Sequence, residues 1–118
     1  MTVRITNATR RTELASRALA ARTLWSRVIG LLGRSRLETG QGLVLEHCNS
    51  IHTAFMRFTI DAVYVDREGR VLKTVPDLRP FRVSGVLRGG HSVIELPTGT
   101  IAQTGTAAGD ELLFEPAP

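Results

Sequence analysis

Residues 48–70 read CNSIHTAFMRFTIDAVYVDREGR, and the fold is decided here. From Ile60 to Val65 the run Ile-Asp-Ala-Val-Tyr-Val is rich in β-branched and aromatic types, which suit a pleated strand. Asp66-Arg67-Glu68-Gly69 follows, and then Val71-Leu72-Lys73-Thr74-Val75. Two β-favouring runs separated by a short segment ending in Gly predict a hairpin. Gly69 takes the left-handed position that a Cβ would penalise. Upstream, Ile51 to Phe58 alternates weakly. Met56, Phe58 and Ile60 share one face, and Thr53, Arg57 and Thr59 the other. Asp61 is the odd residue. An acid among apolar neighbours is rarely buried without a partner, so it is expected to bond backbone N–H groups or an Arg at the strand entrance.

Working outward, Val3-Arg4-Ile5 alternates as a half-buried strand does, and Thr6 to Thr9 has turn chemistry. Glu13 to Ala21 has the Ala content of a helix, yet it also reads as a strand following a hairpin, and strand is the preferred reading. Thr23 to Leu32 is the best helix. Thr23 caps it, and Leu24, Val28, Leu31 and Leu32 form one apolar face, widened by Trp25 and Ile29. Gly33 follows as a C-terminal cap. Gly42 to Leu45 is a short strand. Pro76 to Pro80 is expected to break the sheet, leaving 76–92 as a long connection. Ser92 to Leu96 is another strand, residues 98–104 suggest a second short helix, and Glu111 to Phe114 close the chain as a strand. The expected fold is α+β, mainly β. It is a compact, barrel-like antiparallel sheet with one clear helix over about 23–32 and a short one over about 98–104. Trp25, Leu31, Phe58, Ile60, Val63 and Val65 are expected in its core.

At 118 residues one domain over 1–118 is expected. Hydrophobic content of 42% supports a core, and 5% aromatic makes that core mostly aliphatic. The net charge of +4 is uneven: residues 1–36 carry eight Arg against Glu13 alone. These Arg are spread singly, lack interleaved aromatics and match no nucleic-acid reader motif, so a solvated basic face is expected and no nucleic-acid partner. The single Cys forbids an internal disulfide. No apolar run approaches the roughly 18 residues of a membrane span, and the first residues lack the apolar core of a secretory signal. A cytoplasmic monomer without membrane contact is expected.

IHTAFMRFTIDAVYVDREGRV, then SVIELPTGT, then GDELLF, together resemble the DUF192 (UPF0127) family of uncharacterised proteins. The resemblance rests on His52-Thr53, Met56, Ile60-Asp61, Asp66 with Gly69, Glu95-Leu96 with Gly99, and Gly109-Asp110. Gly30-Leu31-Leu32 with Arg34 is similar to the family's Gly-Leu-Met-x-Arg helix end. Thr59 stands where many members have Pro. The pattern spans most of residues 23–114. It implies a compact, β-barrel-like α+β fold and no assigned activity.

Three chemistries compete for the polar residues. His47, Cys48, His52 and His91 are zinc-type side chains, but the spacing matches no zinc motif, and adjacent strand residues point to opposite faces. No metal or cofactor is expected. A thiol nucleophile needs a His within hydrogen-bond reach, and four extended residues put His52 about 13 Å from Cys48. Cys48 is therefore expected to be a buried, inert thiol. The third is anion binding. His52, Thr53, Arg57 and Asp61 crowd one hairpin entrance, while Arg79, Arg82, Arg88 and His91 lie in or beside the long connection, and Arg suits carboxylate or phosphate. The expected function is a non-catalytic binding module for a small anionic ligand or a protein segment. His52, Thr53, Arg57, Asp61, Arg82 and His91 are its ligand-binding residues. The alternative is a small hydrolase-like enzyme using His52 or Cys48.

Overall fold

The computed structural model describes residues 2–21, 37–46, 51–52, 58–79, 83–84 and 89–118, and of residues 21, 51, 52, 83 and 84 the backbone only. The helix expected over 23–32, with Trp25 and Leu31, lies outside these residues. The described elements are β1 (Thr2–Asn7), β2 (Thr12–Ala21), β3 (Gln41–Glu46), β4 (Ile51–His52), β5 (Ile60–Val65), β6 (Val71–Leu78), β7 (Val83–Ser84), β8 (Ser92–Pro97), α1 (Thr100–Thr104) and β9 (Leu112–Pro116). Glu13 to Ala21 is strand, as preferred, and the short helix expected near 98–104 is α1.

Seven strands form one sheet in the order β6-β5-β8-β3-β2-β1-β9, and β4 pairs with β7 separately. Neighbours are antiparallel except β2 and β3, which run parallel. The expectation of a purely antiparallel sheet is corrected at this pair. Residues 22–40 give the chain the length a parallel crossover needs. The two outermost strands of the sheet meet at one place. There the Val71 amide donates to the Asp110 carbonyl at 2.8 Å, and the Leu112 amide to the Gly69 carbonyl at 2.9 Å. The sheet is thus curled into a half-barrel, mainly β with one short helix. Gly69 sits at the closure with φ +85°, and a Cβ on it would lie 2.7 Å from the Leu112 carbonyl oxygen. Both facts demand glycine.

The expected break at Pro76 is also corrected. β6 continues through Pro76 to Leu78, because it is an outer strand and carries a bulge there: Ile60 faces Leu78, yet Ala62 faces Val75. Proline is tolerated at such positions. The connection after it is shorter than expected, and its β7 pairs His52 against Val83.

Alternation along the strands makes two cores. The inner one draws on every strand of the large sheet: Ile5, Ala18, Val44, Val63, Val71, Ile94 and Leu112 among others, with Ile101 of α1. The outer one covers the opposite face of four strands, with Leu43, Leu45, Ile60, Ala62, Tyr64, Leu78 and Val93. β5 is buried on both faces, which is why its sequence is almost continuously apolar. Each such side chain contributes about 1.5–3 kcal/mol on burial. Ile60, Val63 and Val65 are buried as expected, whereas Phe58 is half-buried at the margin of the outer core.

Candidate functional site

Three carboxylates are buried in the described residues, and they differ in what they meet. Asp61 lies on the inner face at the start of β5. Its Oδ1 accepts the Asp77 amide at 3.0 Å and its Oδ2 the Ile101 amide at 2.9 Å. The second amide belongs to the first turn of α1, where helices leave donors unsatisfied. The first holds Asp77 at φ 55°, within the bulge. Asp61 therefore bonds backbone N–H groups at the strand entrance, as its sequence setting implied. Asp110 accepts Asn7 Nδ2 at 3.0 Å, Arg10 Nε at 3.1 Å and the Ala107 amide at 3.0 Å, all on Oδ2. Burial alone would raise its carboxyl. The bonds from Asn7, Arg10 and Ala107, with the Arg10 charge, outweigh burial and hold it below the usual range.

Glu95 is the exception. It alternates with Ile94 and Leu96 of the inner core, so it points to the outer face. There it stands opposite Leu43 and Ala62. It is 2% exposed, and its Oε2 has no hydrogen-bond partner among the described residues. Burial pushes its carboxyl up from 4.5 to about 7. An orphaned buried acid of this kind marks a functional candidate.

The residues expected to bind a ligand do not all come together. Thr53, Arg57 and Arg82 lie outside the described residues, as do His47, Cys48 and Arg88. His52 is fixed in backbone only, against Val83, the sequence neighbour of Arg82. Asp61 and His91 are separated. Asp61 opens β5, while the His91 amide donates to Val65 at its far end at 2.9 Å. Four extended residues span about 13 Å. Among the described residues no group of three or more His, Cys, Asp and Glu converges on a metal position.

His91 instead borders a cleft of about 350 Å³ at one end of the half-barrel. Val3, Ala20, Val44, Val65, Leu112 and Phe114 supply apolar wall; Glu46, Asp66, Arg67, Glu68, His91 and Ser92 supply polar groups. His91 Nδ1 and Ser92 Oγ lie 2.8 Å apart. The Ser92 side chain belongs to a buried residue. Asp66 organises the adjoining turn, its Oδ1 accepting the Glu68 and Arg70 amides at 2.9 Å each.

Two features escaped the sequence reading. Glu95 carried a signal: an acid in phase with Val93 inside the apolar run Ser-Val-Ile-Glu-Leu. The cleft carried none, because its wall comes from residues 3 to 114 on six strands.

The model of the DUF192 family, described as "Uncharacterized ACR", matches residues 5–114. No curated protein matches. Two crystal structures share the fold. One is a protein of unknown function from Novosphingobium aromaticivorans, 19% identical, with a TM-score of 0.79 over 96% of this chain and 84% of that one. The other, from Sinorhizobium meliloti, is named as a candidate transcription regulator. It is 21% identical, with a TM-score of 0.78 over 96% of this chain and 92% of that one. At these identities the likeness concerns the fold alone.

Proposed function

We propose that this chain, which belongs to the DUF192 family, is a non-catalytic binding domain that takes a small ligand in the cleft at the end of its half-barrel. The observation that carries this is the cleft itself: about 350 Å³, apolar on its walls, polar at His91, Ser92 and the adjoining turn. Barrel mouths with apolar walls and a few placed polar groups are where small ligands bind. The volume suits roughly ten non-hydrogen atoms, at about 30 Å³ for each water-sized group. His91, expected from sequence to contact a ligand, lies on this cleft.

The hydrolase alternative, using His52 or Cys48, has less support: Cys48 lies outside the described residues and His52 is described in backbone only. The anionic ligand expected from Arg57 and Arg82 rests on side chains outside the described residues. The same proposal makes the domain a cytoplasmic monomer. No helix among the described residues is long and apolar enough to cross a membrane.

The test is an amide NMR titration with n-hexanol as an uncharged probe of the apolar wall. Shifts at Val44, Val65, Ser92 and Phe114, abolished by Ala20→Phe, are the expected result. Shifts absent, or confined to the β4–β7 pair, refute the cleft as the site.

A further inference from the structure

Among the described residues the charge along the cleft's turn is lopsided: Asp66 and Glu68 line it against Arg67 alone. Arg70, the next cation along the turn, is directed elsewhere: its Nη2 lies 3.4 Å from Glu111, which is not part of the cleft. The turn also fixes where the acids sit. Asp66 Oδ1 is tied to two amides of its own turn, so the turn backbone holds that carboxylate at the cleft. Glu68 is exposed, two residues further along the turn. The wall adds an aromatic ring, Phe114, 38% exposed beside Gly69. An aromatic face attracts a cation and offers nothing comparable to an anion.

Apolar wall, acidic border and aromatic ring together specify a ligand. We infer that the end cleft selects a small amphipathic cation, an alkylammonium, over an alkyl alcohol or an alkyl carboxylate of the same length. The inference rests on the cleft being the binding site, and it names the ligand class. The alkyl chain lies along Val3, Val44, Val65 and Leu112, and the ammonium sits toward Asp66 and Glu68. A carboxylate head in the same pose meets like charge. An alcohol gains the wall without the charge.

The experiment compares n-hexylammonium, n-hexanol and n-hexanoate by amide NMR titration at pH 7, on wild type, Glu68→Lys and Phe114→Leu. Hexylammonium is expected to bind about fivefold or more tighter than hexanol, and hexanoate weakest. That preference should shrink in both variants and in added salt, which screens exposed charges. Glu68 is a turn residue whose side chain faces solvent, so its variant keeps the fold, and the amide spectrum verifies that. Equal binding of ammonium and alcohol, or tighter hexanoate, overturns the cation assignment and leaves the cleft standing. If none of the three probes shifts the cleft amides, the binding site itself falls and the cation assignment with it.

Discussion

Replacing Glu95 by Gln tests the unusual buried acid directly. Gln keeps the shape and removes the charge. In the folded protein the Glu95 carboxyl titrates near 7 rather than 4.5, because burial disfavours its ionised form. Between those two pH values the folded state holds a proton that the unfolded chain has lost. Stability therefore falls as pH rises through that window and levels off above about 7. At about 1.4 kcal/mol per pH unit, the whole effect is about 3 kcal/mol. The amide in the variant does not titrate. The difference in unfolding free energy between Glu95→Gln and wild type should thus shift by about 3 kcal/mol between pH 4 and pH 8, in favour of the variant at the alkaline end. Other titrating groups are common to both proteins and cancel. Urea unfolding at unit pH steps measures this, with unchanged m values confirming that both proteins unfold the same way. A difference that stays constant across the range would refute the reasoning. It would mean that the carboxylate finds donors in the folded state and ionises normally.

Asp61→Ala removes the acceptor of two amides, that of Ile101 being buried. It should cost about 2–4 kcal/mol in chemical denaturation, with the strongest loss of amide-exchange protection in α1 and at Asp77. Gly69→Ala should cost about 2 kcal/mol or more, because left-handed strain adds to a backbone clash. Gly109→Ala, at φ +95° with nothing within 4 Å of its Cβ, should cost about 1 kcal/mol; equal losses would show that the closure gives way. Asp110, held below the usual carboxylate range, contributes stability above about pH 4 that is lost as pH falls through its folded value. Asp110→Asn should lower the melting temperature at pH 7 and converge on wild type in acid.

What sequence reading could reach was local. The hairpin of β5 and β6, the Gly69 turn and the strand over Glu13–Ala21 follow from residue types and alternation within a few positions. The continuation of β6 past Pro76 does not. It depends on a bulge pinned by Asp61, sixteen residues earlier in the chain than Asp77. The parallel pairing of β2 with β3 is likewise invisible, since a strand's own pattern does not encode its neighbour's direction. Asp61 shows the boundary well. Its need for backbone donors was legible, and its partner in α1, forty residues on, was not. Of the six residues expected to bind a ligand, His52, Thr53, Arg57 and Asp61 crowd one hairpin entrance in sequence, while Arg82 and His91 come from the long connection. In the fold, Asp61 lies at the head of β5, while His91 precedes β8 and its amide meets Val65 at the other end of β5.

The contrast between Asp61 and Glu95 has a geometric cause. The two stand on neighbouring strands, since Asp61 faces Leu96 and Ala62 faces Glu95. In a sheet the amides lie in the plane and are consumed sideways by the ladder. A side chain rising from the middle of a face therefore meets other side chains or a covering segment, not donors of its own sheet. A side chain at a strand end meets turns and helix starts, whose amides are still free. Asp61 at the head of β5, Asp66 after its last residue and Asp110 before β9 all sit at such ends, and each accepts at least two backbone or side-chain donors. Glu95 is the fourth of six residues in β8, a strand flanked on both sides, and no donor among the described residues reaches its Oε2. Position along the strand thus decides whether a buried acid finds donors. The consequence is plainest for the two acids with opposite titrations: Asp110, at an end, stabilises the ionised fold, and Glu95, at mid-strand, the protonated one. Moving the acid by one residue tests this: Glu95→Gln with Ile94→Glu places it on the inner face, still at mid-strand, opposite Val44 and Val63. That variant should keep the loss of stability with rising pH, because the change of face supplies no amide. A reversal of that slope would show that the two faces, not the strand ends, make the difference.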